Sequence, residues 1–411
     1  RPILSVEEAR ARILEYVSPL EPQRMPILDA LGCVLTEDAV APDDVPPHDN
    51  AAMDGYAIHG GDLRAAGQTP RLHVTGELPA GKMWEGELGT GEAIRIMTGA
   101  PMPADADTVV RFENTRREGD AVLIEKIPAR GRNVRRAGED VQKGQIVLPE
   151  DTPLRPQEIG MLASLGYEEA LVHRRPRVAV LATGDEVVPL GAPLPPGKIR
   201  NINSYSNAAQ VEKAGGVPLV LEVAPDRADS LAQRLRRALD RRPDMIVTSG
   251  GVSVGDFDLV KQVLASEGQM DFWWVNIKPG KPMAFGTLDD IPLLALPGNP
   301  VAAMISFFLF GRPAVRKMLG YSSWKARRVE ARLREGVGRK DNRRHHLRVK
   351  LYRTPDGLEA ELTGAQGSGI LMSMVAADGL AVIPEKSEEL PAGSTVEVLL
   401  FDETDRFEER E

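Results

Sequence analysis

The sequence contains a single cysteine, Cys33, among 411 residues. One thiol cannot form a disulfide within the chain, and it cannot supply the ligands of a zinc or iron–sulfur centre built from several cysteines. No signal segment is apparent at the N-terminus either. These two absences lead us to expect a protein of the reducing cytoplasm.

The chain also lacks an excess of positive charge. Its 51 basic side chains are outnumbered by 60 acidic ones, which gives a net charge of -9. A general nucleic-acid binder needs a basic surface to neutralise phosphates, so we expect no nucleic-acid partner. Any anionic substrate must therefore be bound by a local cluster of cations.

One run, residues 291–310, has no charged side chain and is long enough to suggest a membrane span. Pro292, Pro297, Gly298 and Pro300 interrupt it, however, and a spanning helix rarely contains such breaks. The run therefore predicts a buried strand, a tight loop and a core helix that begins at Val301, with no membrane partner.

The pattern of the chain changes several times along its length. Ser5 and Glu8 form a capping box before an amphipathic helix, and a second helix is predicted over 156–165. Apolar strands that alternate with helices between 177 and 309 indicate a parallel sheet covered on both faces. We predict a multidomain α/β and β fold with a central parallel-type α/β sheet. The predicted domains are a helical and extended domain (1–45 plus 137–175), an inserted β-rich domain (46–136), an α/β domain (176–325) and a C-terminal β domain (326–411).

Five predicted strands of the α/β region end in loops that contain glycine, a carboxylate or lysine. In order along the chain, these loops contain Glu186, Asp226, the glycines from Gly250, the pair Lys278 and Lys281, and the segment from Pro297 to Pro300. The carboxyl ends of parallel strands meet at one edge of a sheet, where such folds bind ligands. Ordinary turn chemistry explains any one loop but explains all five less well. The sequence therefore predicts one crevice for phosphate and a metal ion.

Carboxylates and lysines in these loops suit two kinds of ligand. Glu186, Asp226 and Asp258 would offer hard oxygen ligands for Mg²⁺, although isolated acids also cap helices. Lys278 and Lys281 flank a Pro-Gly turn, which would hold two cations near a fixed oxyanion. The alternative for the lysines is a solvated turn.

The segment 250–255, GGVSVG, allows two interpretations. Its last five residues match the G-x-S-x-G elbow of serine hydrolases, with Ser253 as the nucleophile. Its glycines, Gly250, Gly251 and Gly255, would equally let backbone N–H groups contact a phosphate.

The hydrolase interpretation needs an acid and then a histidine after Ser253. The histidines beyond it, His345 and His346, lie within a basic run, which disfavours a neutral base and predicts a solvated edge of a sheet. We therefore favour the anion-binding loop and keep a serine hydrolase as the weaker alternative.

Taken together, the motifs resemble those of the molybdopterin molybdenumtransferase family, which also includes the E domain of gephyrin. The matching segments are PPHDNAAMDGYA (46–57), RIMTGA (95–100), NVRRAGED (133–140), TGDE (183–186), TSGGVSVGDFD (248–258), KPGKP (278–282) and PGNP (297–300). The resemblance implies a homodimer of four-domain subunits that inserts molybdenum from molybdate into adenylylated molybdopterin. With Mg²⁺ as cofactor, such enzymes release AMP and form the molybdenum cofactor.

The resemblance also implies roles for individual residues. The catalytic set is Asp54, Thr98, Glu186, Asp226, Asp258 and Lys278, and the magnesium ligands are Glu186, Asp226 and Asp258. The substrate-binding set is Asp140, Gly250, Gly251, Ser253, Gly255, Lys281, Pro297, Pro300, Arg344 and Ser368. In the family, the inserted domain of one subunit completes the cleft of the other, which would place Asp54, Thr98 and Asp140 opposite the carboxylates.

Two positions depart from the family pattern. Trp274 stands where related sequences can carry lysine, and the basic run before Leu347 does not distinguish Arg343 from Arg344 as the site arginine. A non-catalytic scaffold of the gephyrin type remains an alternative function, and transient contact with a molybdopterin adenylyltransferase is a possible partnership. The sequence does not discriminate molybdate from tungstate.

Overall fold

The computed structural model describes residues 3–63, 69–250, 260, 263, 264, 266, 268–338, 341–385, 387, 389–402 and 407–409. The predicted site residues Gly251, Ser253, Gly255 and Asp258 lie outside these ranges. The chain divides into two compact units, of which the larger comprises Arg1–Arg24, Gly32–Val34 and Leu171–Glu411. The smaller comprises Met25–Leu31 and Leu35–Ala170. The four predicted domain boundaries stay predictions.

A six-stranded sheet forms the centre of the smaller unit. Its spatial order is Thr108–Arg111, Gly55–Ile58, Glu92–Ile96, Arg71–Leu78, Ala121–Ile124 and Thr115–Glu118. Neighbouring side chains of one strand, Ala57 and Ile58, pack into different apolar clusters. Because successive side chains of a strand point to opposite faces, both faces of this sheet are covered.

Shorter elements complete the smaller unit. They are the strand pairs Ala39–Val40 with Ile146–Leu148 and Asn50–Ala51 with Val134–Arg135, the 3₁₀ turn Phe112–Asn114 and the helix Pro156–Ser164. The pair Pro22–Pro26 with Glu169–His173 contains two of the four positions at which the chain passes between units. The helix predicted over 156–165 is thus confirmed.

The larger unit begins with the predicted capped helix, Val6–Glu15. The Ser5 hydroxyl accepts a hydrogen bond from the Glu8 backbone N–H at 3.2 Å, and the Glu8 carboxylate accepts one from the Ser5 N–H at 2.8 Å. This reciprocal pair satisfies two backbone donors that have no partner inside the helix.

The α/β sheet of the larger unit is mixed. Its spatial order is Val217–Val220, Arg177–Ala182, Met245–Ser249, Ile291–Leu296, Pro282–Leu288 and Gly268–Trp274. The first four strands are parallel, as predicted, but Pro282–Leu288 runs antiparallel to both of its neighbours. The predicted parallel arrangement therefore holds for four strands, and the sheet is mixed because the turn before Pro282 sends the chain back as an antiparallel strand that was not predicted.

Helices cover this sheet. The described ones are Asn203–Lys213, Ala228–Leu239 and Pro300–Ser306, which continues through a π-helical turn, Phe307–Gly311, into Arg312–Met318. The apolar run 291–310 is thus a buried strand, a loop and a buried helix, as predicted. Across the described ranges, every helix is too short or too polar to traverse a bilayer.

The C-terminal region forms a closed sheet. Its spatial order is Ile277–Lys278, Arg344–Thr354, Gly357–Leu362, Arg328–Leu333, Thr395–Leu400 and Gly379–Ile383, with Glu408–Glu409 alongside Arg344–Thr354. The long strand Arg344–Thr354 also pairs with Gly379–Ile383, so the sheet closes on itself around one apolar cluster. Smaller elements are the strand pairs Val187–Val188 with Ile199–Arg200 and Val337–Gly338 with Glu389–Leu390, and the helix Met372–Val375.

The prediction of a solvated edge at the histidine pair is wrong. His345 and His346 are buried, with 6 % and 1 % of their surfaces exposed. Their strand has the strand Ile277–Lys278 on one side and Gly379–Ile383 on the other. A strand with two neighbours is interior to the sheet, whatever charges flank it in sequence.

Candidate functional site

A pocket of about 420 Å³ lies at the carboxyl ends of the parallel strands. It is lined by Ala182, Thr183, Gly184, Glu186, Val187, Ile199, Arg200, Asn201, Ile202, Asn203, Asp226, Gly250, Pro282, Pro297, Gly298, Asn299 and Pro300. Five predicted site residues, Glu186, Asp226, Gly250, Pro297 and Pro300, therefore share one pocket. The loops after four different strands supply the pocket wall, as the rule for ligand sites in open α/β sheets requires.

Two of these loops are joined by a reciprocal pair of hydrogen bonds. The Asp226 carboxylate accepts from the Asp185 backbone N–H, and the Asp185 carboxylate accepts from the Asp226 N–H, both at 3.2 Å. The Lys198 ammonium also donates to the Asp185 carbonyl at 2.7 Å. These bonds fix the positions of Asp226 and of the loop that carries Glu186.

Close backbone approach explains the glycine at position 250. Gly250 has φ +86°, and a Cβ atom there would lie 2.5 Å from the carbonyl oxygen of Thr183. A Cβ on Gly298 would lie 3.5 Å from the Gly250 Cα. The loops after three strands thus meet backbone to backbone, which a side chain at position 250 would prevent.

The pocket wall offers hydrogen-bonding atoms that protein groups do not use. Among the described residues, the Thr183 hydroxyl and the side-chain oxygen of Asn203 are buried without a hydrogen-bond partner. The Asn203 amide nitrogen donates to the Gly298 carbonyl at 2.7 Å, which orients that oxygen. Buried polar atoms normally have partners, so these two suit a bound ligand or water.

Thr183 and Asn203 are pocket residues that were not predicted as site residues from the sequence. Asn203 is the first residue of the helix Asn203–Lys213. An asparagine at a helix start that follows a strand end was the available signal.

Lys278 belongs to a second cluster of charges. Its ammonium lies 3.2 Å from the Asp341 carboxylate, which also accepts from the Arg343 guanidinium at 2.7 Å and lies 2.8 Å from His345 Nε2. Burial by itself raises the pKa of Asp341, but hydrogen bonds from Arg343, His345 and Lys278 outweigh it and hold the pKa well below its usual range. Asp341 is therefore a carboxylate anion here.

Lys281 and Trp274 contact one another. The Lys281 ammonium lies 4.9 Å from the centre of the Trp274 ring, a cation–π distance. The tryptophan that departs from the family pattern thus orients the second lysine of the turn.

Arg344 is held by two carboxylates. It forms ion pairs with Glu7 of the first helix and, at 3.2 Å, with Glu385. Arg343 instead contacts Asp341 in the cluster with Lys278. The two arginines that the sequence did not distinguish therefore have different partners.

A buried arginine supports the loop that contains Ser368. Arg348, which is 1 % exposed, donates to the Gly367 carbonyl and to the Ser373 hydroxyl, both at 3.0 Å. Its backbone N–H donates to the Gln366 side chain at 2.8 Å. The Ser368 carbonyl accepts from the Val301 N–H at 3.2 Å, so this loop contacts the helix that begins beside the pocket.

Within the smaller unit, the motif segments 46–57, 95–100 and 133–140 also come together. Asp49 accepts a hydrogen bond from the Ala137 N–H at 2.8 Å, and Asp54 accepts from Thr98 at 2.7 Å. The Asp140 backbone N–H donates to the Val45 carbonyl at 3.0 Å. The predicted site residues Asp54, Thr98 and Asp140 thus all lie in ordered loops of this unit.

The donor set of the pocket limits which metal sites are possible. Over the residues that the structure describes, His, Cys, Asp and Glu side chains form no group of three or more arranged for a metal ion. Two carboxylates, Glu186 and Asp226, do line the same pocket. Mg²⁺ commonly takes one or two protein carboxylates and completes its shell with phosphate oxygens and water, so this pair fits it.

Comparison with known protein families gives a consistent result along the chain. Residues 4–166 match the family model "MoeA N-terminal region (domain I and II)", residues 179–317 match "Probable molybdopterin binding domain", and residues 330–401 match "MoeA C-terminal region (domain IV)".

Individual relatives cover nearly the whole chain. Molybdopterin molybdenumtransferase from Haemophilus influenzae is 35 % identical over 407 residues, which are 97 % of this chain and 99 % of the relative. The protein of the same name from Nostoc sp. is 36 % identical over 411 residues, which are 97 % of this chain and 94 % of the relative.

Two solved structures also match nearly the whole chain. Two crystal structures of the molybdopterin biosynthesis MoeA protein from Pyrococcus horikoshii superpose with TM-scores of 0.82 and 0.80 at 34 % and 31 % identity. They cover 98 % and 97 % of this chain and 100 % of their own. The fold is therefore a MoeA-like multidomain fold with mixed sheets.

Proposed function

Since the chain belongs to the molybdopterin molybdenumtransferase family, whose members act in molybdenum cofactor biosynthesis, we propose that it inserts molybdenum from molybdate into adenylylated molybdopterin and releases AMP. The observation that carries this proposal is the pocket at the strand ends, where Glu186, Asp226 and Gly250 lie together. This pocket contains two carboxylates that can bind a divalent cation, and it contains a glycine backbone that a phosphate can approach closely.

Glu186 and Asp226 would hold Mg²⁺ in this pocket. The ion would neutralise phosphate charge and polarise the bond that breaks as AMP leaves. Both carboxylates belong to loops that are held together by the reciprocal hydrogen bonds between Asp185 and Asp226. Asp258 remains a proposed third ligand from outside the described residues.

Phosphate binding would fall to the backbone around Gly250 and to the polar atoms of the pocket wall. The Thr183 hydroxyl is buried there and can donate to a phosphate oxygen, whereas the free side-chain oxygen of Asn203 can only accept, from an N–H or O–H group of the substrate. The neighbouring loop that carries Lys278 and Lys281 would supply positive charge for the tetrahedral molybdate dianion. No protein nucleophile is needed, so Ser253 is proposed as a small loop residue or phosphate donor.

We propose further that the protein is a cytoplasmic homodimer, with Asp54, Thr98 and Asp140 contributing to the same reaction. Transient contact with a molybdopterin adenylyltransferase would deliver the adenylylated substrate. Sedimentation velocity of the purified chain tests the dimer, and a monomer at micromolar concentration would contradict it.

The reaction itself is tested by incubating the protein with adenylylated molybdopterin, MgCl₂ and molybdate, and measuring AMP together with molybdenum cofactor. Glu186→Gln and Asp226→Asn should each lower both products by about tenfold or more, and higher Mg²⁺ should partly restore them, because each removes one charged ligand. Glu212→Gln, an equal charge change on an exposed helix position, should have no effect.

Three results would contradict the proposal. AMP without cofactor, the absence of both products, or equal losses in Glu212→Gln and Glu186→Gln would each do so. Replacing molybdate by tungstate in a parallel arm determines which oxyanion the enzyme prefers.

A further inference from the structure

A second pocket, of about 630 Å³, lies where helices of the α/β sheet meet the C-terminal region. We call it the aromatic pocket, after a wall that contains Phe307, Phe308 and Phe401. Among the described residues, it shares no lining residue with the pocket at the strand ends. Concave sites of this volume take small organic molecules, and they often lie between domains.

Two helices run from one pocket to the other. Asn203 lines the pocket at the strand ends and begins the helix Asn203–Lys213, which lines the aromatic pocket with Gln210. Pro300 likewise lines the first pocket and begins the helix whose later turns, at Phe307 and Phe308, line the second. A ligand of the aromatic pocket would therefore contact both helices that begin at the strand ends.

An unusual helical turn builds the aromatic wall. The Arg312 backbone N–H donates to the Phe307 carbonyl five residues earlier, so the segment Phe307–Gly311 is a π-helical turn. A Cβ on Gly311 would lie 2.6 Å from the Phe307 ring, which explains the glycine at this position. Turns of this kind are rare and occur mostly at functional sites.

The aromatic rings of this wall suit a planar apolar group. The Phe308 and Phe401 rings meet edge to face, with centres 5.2 Å apart and planes at 83°. Met304 and Met374 also line the pocket. Aromatic rings bind other rings by such edge and face contacts, and methionine side chains adapt to the shape of what they pack against.

The aromatic pocket also carries an excess of positive charge. Among its described lining residues, four side chains are basic and one is acidic, namely Lys213, Arg312, Arg316, Arg327 and Asp402. The acidic one, Asp402, is paired with Lys213. In a chain whose net charge is -9, this local excess of cations favours an anionic ligand.

Two of the guanidinium groups are oriented by neutral neighbours. Arg312 donates to the Trp324 carbonyl at 3.1 Å, and its guanidinium lies 5.8 Å from the centre of the Phe308 ring. The Arg316 guanidinium lies 4.5 Å from the centre of the Tyr321 ring. These contacts position both groups without cancelling their charge. An oriented guanidinium binds two oxygens of an acid group at once.

Gln210 offers a further donor. Its side-chain nitrogen, Nε2, is one of the buried atoms without a hydrogen-bond partner in the described part of the chain. Buried polar atoms normally have partners, and an oxygen of a ligand in the aromatic pocket would supply one.

We propose that the aromatic pocket is a second ligand-binding site, and that its ligand is a small organic anion in which a planar aromatic ring system carries an acid group. The ring system packs against Phe308 and Phe401, and the acid group accepts hydrogen bonds from Arg312, Arg316 and Gln210. The proposal does not depend on the proposed function, because the two pockets have separate lining residues.

Fluorescence titration of the full chain with anilinonaphthalene sulfonate tests the proposal, because this aromatic anion emits strongly in apolar surroundings. Binding should be saturable, and Arg312→Gln should weaken it by about tenfold. Arg312→Lys keeps the charge and should weaken it by less than about threefold. Phe401→Leu should weaken it by about fivefold, since one ring contact is lost. Arg353→Gln, an equal charge change at an exposed position of another strand, should change it by less than about twofold.

Competition experiments separate the two halves of the ligand. Naphthoate, an aromatic carboxylate, should displace the dye. Naphthalene methanol has the same ring system without charge and should need at least about tenfold more to do so. Sodium sulfate has charge without a ring and should not displace the dye at equal concentration. Thermal unfolding of each variant establishes that it is folded before its affinity is compared.

Glu186→Gln, in the pocket at the strand ends, should bind the dye as the natural chain does. If Glu186→Gln weakens binding as much as Arg312→Gln, the dye occupies that other pocket and the proposal is wrong. Equal affinities in Arg312→Gln, Phe401→Leu and the natural chain would also overturn it. So would displacement by naphthalene methanol as strong as that by naphthoate, or a fluorescence signal that does not saturate.

Discussion

Thr98 donates two hydrogen bonds to a single carboxylate oxygen of Asp54, one from its backbone N–H and one from its hydroxyl, each at 2.7 Å. The two residues flank paired strands, since Gly55 is opposite Ile96 in the antiparallel pair Gly55–Ile58 with Glu92–Ile96. The sheet register therefore brings together two residues that are 44 positions apart in sequence. Both belong to the predicted catalytic set.

Replacing Thr98 by valine is expected to raise the pKa of Asp54. The backbone and then the side-chain hydrogen bond from Thr98 hold this pKa below its ordinary value of 3.8, and Thr98→Val removes the second of them. The Asp54 carboxyl should therefore titrate at higher pH in a ¹³C NMR experiment. Thr75→Val, which removes a hydroxyl bonded to the Ala93 carbonyl instead, should leave that titration in place. A Thr98→Val protein with the natural Asp54 titration would contradict this account.

Alanine at Gly250 is expected to destabilise the protein more than alanine at Gly191. Both glycines have positive φ, +86° and +77°, so each substitution costs about 1 kcal/mol in backbone strain. Only at Gly250 would the new Cβ also lie 2.5 Å from a backbone carbonyl, that of Thr183, whereas no heavy atom lies within 4 Å at Gly191. The total cost at Gly250 should be about 2–4 kcal/mol.

Urea unfolding of the two variants measures this difference. Equal losses at Gly250 and Gly191 would mean that the loops after the three strands can separate at little cost. The pocket would then be less rigid than the close backbone approach indicates.

Part of the site could be predicted from the sequence because one rule of sheet topology applies to it: the carboxyl ends of parallel strands form the ligand site. Glu186, Asp226 and Gly250 each lie in the loop that follows a parallel strand, and parallel strands of one sheet end at the same edge. The rule needs only the order of strands and helices. It therefore placed these residues in one pocket without any knowledge of their contacts.

The cluster around Asp341 could not be predicted in this way. Lys278 and Asp341 are 63 positions apart, and they meet because two residues, Ile277 and Lys278, pair with a strand of the C-terminal sheet. A two-residue strand has no periodicity from which a sequence pattern could detect it. His346 was misjudged for a related reason, since its burial depends on strand neighbours that lie far away in sequence.

Arg348 is expected to be essential for the loop that contains Ser368. Arg348→Met would keep the apolar stem but remove the donors to the Gly367 carbonyl and the Ser373 hydroxyl, which we expect to cost about 2–3 kcal/mol. Urea unfolding measures the cost, and hydrogen exchange should show faster exchange at residues 364–368. Arg353→Met, at an exposed position of the same strand, should cost less than about 0.5 kcal/mol. Similar losses in both variants would show that the buried guanidinium is dispensable.

His346 is expected to make the protein less stable in mild acid. Burial, strengthened by the charge of Arg344, lowers the pKa of this histidine from 6.5 to about 3 in the folded chain. The unfolded chain therefore takes up a proton below about pH 6.5 that the folded chain does not, so the free energy of unfolding decreases as pH falls towards 3. The slope reaches about 1.4 kcal/mol per pH unit, which amounts to about 2 kcal/mol between pH 7 and pH 5.

Replacing this histidine by leucine removes the proton uptake and with it that part of the pH dependence. Urea unfolding at pH 7, 6 and 5 should therefore show that His346→Leu loses about 2 kcal/mol less than the natural chain over this range. His48→Leu, at an exposed position, should keep the full dependence because it leaves the buried imidazole of His346 in place. Parallel curves for His346→Leu and the natural chain would mean that His346 is hydrated or finds a partner for its proton, and that the strand Arg344–Thr354 is not closed around it as the pairing indicates.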